Sequence, residues 1–563
     1  MKRKHPRTTL PRYEGDASIE AEAPVDGGGT EPAESPLDPS PAFLRPSLQG
    51  SWLNTQRALY IWAAIVAACV VWQPLLLGFY YDDWDLWVNG SAMGNPFSWT
   101  RLVFMNNTNP VRVGCLPGRF LGSSLFGAHP LLWQGALLLI NCVIAIAIVA
   151  ACRVITQPRT PASRMLTVAA GLGWLVVPWN AGARYWPALL PNVAMLAVLG
   201  FLCALLIRGW AKNQARVVTA GSLYLWMCVS YEAFYLQWIT ITLIGLVLWM
   251  AKRVALRPII VSAVVMVIAQ GIAGWWNLYT KSKGYWTAMS VLPDWRQIVS
   301  RNLLNIVPSA VQSVSEISTE IVLCGAVVFA IGLAVYLRSL SRASDRPAAY
   351  ISIMLAAICV LGGVVSVVVF SLAGRVVMGT GVESRSLMVF NFWLVIAGAI
   401  VTTFVFERLA GMPKAVFAIA LTGFGLCLGV GQVLRASDWA TAWSLQKKIL
   451  AEVPVSDLKR TELDARIILL NKLEVNGAPI FAAEWDINNA IGWAYPFLKS
   501  RRFVVYNKWV GPMKWDGRQL SYVGQPPREV TAEVYLWRPY DISFWRPAGP
   551  FVINQDLTVE PAR

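Results

Sequence analysis

Hydrophobic and polar residues alternate along this chain in blocks of tens of residues. After a polar opening, apolar runs lie near 58–79, 131–152, 165–180, 188–207, 217–231, 234–251, 257–276, 320–337, 349–372, 386–405 and 414–433. About 20 such residues in a helix cross the ~30 Å hydrocarbon layer of a bilayer. The pattern predicts an α-helical polytopic membrane protein with about 11 transmembrane helices. The third and fifth runs are short and are expected to tilt little or to merge with their neighbours. Beyond residue 433 the runs shorten. Residues 437–453 keep helical spacing, and ARIILLNKL (465–473), APIFAAEW (478–485), RFVVYNKW (502–509) and EVYLWRP (533–539) read as strands, with a helix at 488–499. The chain therefore divides into a disordered tail (1–50), a transmembrane domain (51–433) and a small C-terminal α/β domain (434–563).

Composition agrees. Of 563 residues, 56% are hydrophobic and only 14% charged, well below a soluble chain. The first 50 residues are polar, rich in Pro, Gly and Ala, and unable to bury a core. The net charge of +16 fits cytoplasmic loops and lipid phosphates better than nucleic acid. With the amino terminus in the cytoplasm, the even-numbered connections carry Arg153, Arg159 and Arg164; Arg208, Lys212 and Arg216; Lys252, Arg253 and Arg257; Arg338, Arg342 and Arg346; and Arg408 and Lys414. All obey the positive-inside rule, and an odd number of crossings puts the carboxyl terminus outside. All nine cysteines except Cys115 sit in apolar runs and read as small core residues, not disulfides. With only His5 and His129, a histidine metal site or a Ser-His-Asp triad is not expected.

The outward connections hold the candidate chemistry. FYYDDWDLW, directly after the first run, sets Asp82, Asp83 and Asp85 among aromatic residues at the membrane boundary. Ionised groups there are costly unless paired or solvated. The three suit a general base or oxygen ligation of a divalent metal. Arg119 of LPGRFLG follows in the same loop, placed to pair with an aspartate or to hold a phosphate. Arg184 and Tyr185 lie near the outer end of the third run. Tyr231 and Glu232 lie where the fifth and sixth meet, and a glutamate between two apolar helices demands a partner or a function. Lys281 and Lys283, and Arg375, Glu383 and Arg385 of AGRVVMGTGVESR (373–385), bring further charge to the same side. No run carries a well-centred ionisable residue, which weighs against ion-coupled transport. No phosphate-binding loop for a nucleotide-driven pump is present.

This arrangement resembles the type C membrane glycosyltransferases (GT-C), especially the bacterial members that modify surface glycans. The resemblance rests on Asp82 and Asp83 opening the first outward loop, on Gly118-Arg119, on Tyr231-Glu232, on Arg385 before a late span, and on a terminal soluble domain. It implies a polyprenyl-phosphate-linked sugar as donor and a glycan, lipid or protein hydroxyl as acceptor. It implies Asp82 or Asp83 as the base of an inverting displacement. Arg119, Lys281, Lys283, Arg375 and Arg385 are then candidates for the leaving phosphate, and a divalent metal such as Mg or Mn is permitted at Asp82, Asp83 and Asp85. The expected location is a bacterial inner membrane with the C-terminal domain periplasmic. The competing expectations are a polysaccharide or lipid-linked-oligosaccharide transporter, and an outer-leaflet glycan polymerase or ligase.

Overall fold

The computed structural model describes residues 46–108, 110–283, 296, 298–305, 319–372, 382–472, 474–481, 483–498, 502–505, 512–522, 528–529, 533–541 and 543–562. Among them, nine helical stretches are long and apolar enough to cross a membrane: Gln56–Leu76, Pro130–Thr156, Pro187–Ala211, Glu232–Met250, Leu256–Ser282, Leu323–Ser341, Arg346–Leu372, Ser384–Arg408 and Gly411–Ala451. The chain is a multi-pass α-helical membrane protein. Most of the expected polar tail lies outside the described residues, and its last residues, from Pro46, already belong to the first helix, Pro46–Val70.

The two short runs form short helices. Residues 165–180 are helical only within Pro161–Trp174, and 217–231 within Val217–Ser230, each 14 residues. Such a helix is about 21 Å long, less than the hydrocarbon layer. The second stops because Tyr231 turns extended, at φ −159° and ψ 131°, while its N–H caps Met227 O.

Basic connections meet at one end of the bundle. Arg253 Nη1 donates to Ile155 O at 3.2 Å, and the Arg159 N–H donates to Glu407 Oε1 at 3.2 Å. The helix Pro130–Thr156, about 40 Å long, separates this end from the acidic loop. That loop is built from the helices Trp99–Thr108 and Leu116–Phe126 with the 3-10 turn Pro110–Cys115 between them. Its first part is held by Arg101, only 2% exposed, whose guanidinium donates to the carbonyls of Ser91 (2.8 Å), Gly94 (3.2 Å), Pro96 (3.3 Å) and Ser123 (3.4 Å). Trp87 stacks on Trp133 with ring centroids 3.9 Å apart and fixes the acidic segment to the second span.

The last span does not end at the membrane. Residues 414–433 and 437–453, expected as separate helices, form one 41-residue helix, Gly411–Ala451. No Gly or Pro interrupts 433–450, and Arg435 pairs with Asp438 at 3.5 Å on its flank. Its far half backs the acidic segment. Tyr80 Oη donates to Trp439 O (2.7 Å), Trp84 Nε1 donates to Gln446 Oε1 (3.0 Å), and Gln446 Nε2 continues to Pro479 O (3.2 Å).

The terminal region carries a four-stranded sheet in the order Arg502–Val505, Arg466–Leu469, Val534–Arg538, Ser543–Trp545. The first three strands are parallel and the last antiparallel. Ile467, Ile468, Leu469, Phe503, Val504 and Val505, with Leu536 and Trp537, are buried, as expected of strands covered on both faces. A second, five-stranded antiparallel sheet, not expected from the hydrophobic pattern, follows the order Val559–Pro561, Phe551–Ile553, Met513–Trp515, Gln519–Tyr522, Arg528–Glu529. The run 478–485 is not one strand. Only Ala478–Pro479 pairs, with Glu474–Val475, and a helix begins at Glu484, earlier than expected. Asp486 explains the early start, because its Oδ2 accepts from Ala483 N at 3.1 Å and satisfies an end N–H.

Candidate active site

The acidic segment is shaped by an unusual backbone. Tyr81 sits at φ +51°, a left-handed conformation that is costly for a bulky residue and is retained only where the surroundings enforce it. Its ring lies edge-on between Trp186 and Trp485, each 5.6 Å away. Directly after it, Trp84–Asn89 winds as a π-helix, a rare form that tends to occur at functional sites. The wider turn carries Asp85 outward, while Trp84, Leu86, Trp87 and Val88 are buried.

The three aspartates have different surroundings. Asp83 is 0% exposed. Its Oδ1 accepts from Ala188 N (2.6 Å) and Trp87 Nε1 (3.2 Å), and its Oδ2 from Tyr80 N (2.8 Å). Burial pushes this carboxyl up, whereas the three N–H donors favour the ionised form. Asp82 is half-buried and faces a cavity of about 220 Å³. Its Oδ1 accepts from Trp485 Nε1 at 3.1 Å, and among the described residues no hydrogen bond falls on Oδ2. Burial raises the Asp82 carboxyl above its ordinary value; Arg385, the Trp485 N–H and Arg119 pull it back, and Asp85 adds to the rise. Asp85 also lines the cavity, with Oδ1 accepting from Asn89 (3.1 Å) and Asn489 (3.3 Å).

Cations face these carboxylates across the cavity, which Arg112, Arg119 and Arg385 all line. Arg119 is 4% exposed, and its Nε has no hydrogen-bond partner among the described residues. Burial lowers its pKa, but a guanidinium stays charged at neutral pH. Arg385 lies over the Trp186 ring at 4.9 Å. Arg112 is spoken for: its Nε donates to Glu232 Oε2 at 3.0 Å, its Nη2 to Oε1, and its guanidinium covers the Tyr231 ring at 4.6 Å. Glu232 thus finds its partner in the segment between the first two spans, and the pair ties that segment to the start of the span Glu232–Met250.

The other expected site residues lie apart from this cavity. Arg184 donates to Leu175 O and lies 5.8 Å from the Trp174 ring, lining a separate small void. Tyr185 meets the side chain of Gln432 and edges against Trp439, behind the acidic segment. Lys281 and Lys283 end the helix Leu256–Ser282, both exposed, and neither lines the cavity. Arg375 lies outside the described residues. Glu383 belongs to the turn Val382–Leu387, its side chain outside them.

Among the polar and aromatic side chains that line the cavity, Arg112, Trp186, Asn192 and Trp485 are additions to the expected set. Trp186 follows Tyr185 in AGARYWP, and a signal existed in the clustering of aromatics there. Asn192 and Trp485 gave none. Among the described residues, no group of three or more His, Cys, Asp or Glu side chains is placed to hold a metal ion. No protein-family model matches this chain, and no curated protein matches it.

Proposed function

We propose that this protein is a membrane glycosyltransferase that moves a sugar from a polyprenyl-phosphate donor to an acceptor hydroxyl at the outer face of a bacterial cytoplasmic membrane. The observation that carries this reading is the cavity in which the open carboxylate Asp82 faces Arg119 and Arg385 at one end of an apolar bundle. In this reading the two short helices complete eleven crossings, the basic connections lie in the cytoplasm, and the acidic loop and C-terminal domain lie outside.

The chemistry is a single displacement. Asp82 Oδ2 takes the proton of the acceptor hydroxyl as its oxygen attacks the anomeric carbon. The bond from that carbon to the phosphate oxygen breaks, and the phosphate leaves with the electron pair. Arg119 and Arg385 stabilise the charge it gathers, in a site where burial strengthens the interaction. The reading assigns the base to Asp82 rather than Asp83, because all the contacts on the Asp83 carboxylate are N–H donors that hold it in place. Asp83 does not fit a metal site for the same reason. Asp82 and Asp85 fit better, and a divalent ion held by them would supply further positive charge against the leaving phosphate.

The test is incubation of the purified protein in nanodiscs with a panel of polyprenyl-phosphate sugars, with and without chelator, following donor consumption. Turnover of one donor that is lost in Asp82→Asn supports the reading. Vectorial movement of a lipid-linked glycan in proteoliposomes, without any bond broken, would replace it with transport.

A further inference from the structure

The helix Glu484–Ala494 of the C-terminal domain lies against the acidic segment along one face. Trp485, Asn489 and Trp493 recur at a spacing of four, so they line one side of the helix over about 12 Å. Trp485 reaches Asp82 and Tyr81, Asn489 reaches Asp85 and Asn89, and Trp493 packs 6.0 Å from Trp84. The helix thus touches Tyr81, Asp82, Trp84, Asp85 and Asn89, whereas the Asp83 carboxylate is held by other partners. Yet this face is not closed: Trp485 is 46% and Trp493 53% exposed. Two tryptophans left this open beside a polar cavity are unusual for a face whose only task is packing.

Resting on the transferase reading, we propose that Trp485 completes the site in two ways. Its N–H fixes Asp82 Oδ1, so that Oδ2 is the oxygen presented to the acceptor. Its open ring face is the platform on which the acceptor lies, and that acceptor is a sugar ring. Trp485 is then a positioning residue for the base and the residue that selects the acceptor class. A pyranose has a face of polarised C–H bonds that suits the negative face of an indole, while its rim of hydroxyls suits Asp82, Asp85 and Asn192. The lining thus joins two indoles, Trp186 and Trp485, to a set of hydroxyl-binding side chains, the pairing that a sugar ring requires. Trp493, two turns along, prolongs the surface for a second sugar unit.

The charged and titratable groups that face Asp82 are Asp85 on the π-helix, Arg119 and Arg112 from the first outward loop, and Arg385 from the turn before a late span. Trp485 is the contact on its carboxylate that can be removed without altering any of those charges. The experiment takes two readings on the full-length protein in nanodiscs. Trp485→Phe keeps the ring and removes the N–H, and is expected to lower kcat at least about tenfold with acceptor KM within about twofold. Carbodiimide labelling of Asp82 at one fixed pH, followed by peptide mass spectrometry, reads the platform. Methyl pyranosides at millimolar concentration are expected to slow labelling in the wild type and in Trp485→Phe, and to lose that effect in Trp485→Leu. N-acetylserinamide is expected to have no effect. A kcat unchanged in Trp485→Phe overturns the positioning role. Equal pyranoside protection in Trp485→Leu, no pyranoside protection in the wild type, or protection by N-acetylserinamide overturns the sugar platform. The labelling requires no turnover, so a protein that consumes no lipid-linked donor refutes the transferase reading separately.

Discussion

Asp82 and Asp83 are adjacent in sequence, yet their carboxylates face opposite surroundings. Asp82 opens onto a cavity with no hydrogen bond on Oδ2 among the described residues, whereas Asp83 is sealed among three N–H donors. Asn substitution is expected to separate them. Asp82→Asn removes the base and leaves a folded, inactive protein. Asp83→Asn points an amide N–H₂ at a backbone or indole N–H and lowers stability by about 1–3 kcal/mol. Thermal unfolding in detergent, set beside donor turnover, checks both. Full activity in Asp82→Asn would remove it from the mechanism.

The rate should depend on pH through Asp82. A general base works ionised, so activity rises as pH climbs through its pKa, which burial holds above the ordinary carboxylate value. Arg385 opposes that rise, so Arg385→Gln is expected to displace the rising limb of kcat/KM to higher pH as well as weaken it. A limb that stays in place would show that a different group titrates.

Breaking the Arg112–Glu232 pair should be costly. Both side chains are largely buried, at 15% and 4% exposed, so Glu232→Ala strands a cation. The expected loss is about 3–5 kcal/mol, and Arg112→Met combined with Glu232→Leu is expected to recover most of it. Melting temperatures of the single and double variants decide this. A double variant no better than the single would mean that the pair does more than neutralise itself.

Arg119 and the lysines at the end of Leu256–Ser282 should differ sharply. Arg119→Met is expected to lower donor kcat/KM by about 10²-fold or more, the scale of losing one electrostatic contact to a leaving group. Lys281→Met and Lys283→Met, exposed and away from the cavity, are expected to stay close to wild type. Steady-state kinetics on one donor separates the cases.

Orientation is open to direct labelling. Cysteine placed at Arg518, exposed in the turn before the strand Gln519–Tyr522, should react with an impermeant maleimide from outside, and cysteine at Thr160 only after permeabilisation. The reverse result would turn the molecule over.

The positions of the apolar helices were legible in the sequence because twenty-residue runs leave few alternatives. The two 14-residue helices were legible as short runs, and 217–231 ends within a residue of Ser230; that the other stops at Trp174 rather than 180 was not. FYYDDWDLW could be singled out, but its three carboxylates could not be told apart. What distinguishes them comes from afar: Ala188 lies 105 residues away and Trp485 403. Glu232 announced a need for a partner, but Arg112 looked like any loop charge until the fold brought it over. The second sheet was invisible because strands of two to four residues are too short to display a period.

The 41-residue helix Gly411–Ala451 is about 62 Å long, twice the hydrocarbon thickness. It is a lever with one arm in lipid and the other behind Tyr80 and Trp84. Tilting the rod by about 5° displaces its far end by about 5 Å, while a hydrogen bond tolerates only a few tenths of an ångström. Gln446 on the far arm is bonded to Trp84 and to Pro479 at once, so the rod couples the aspartate segment and the domain to each other.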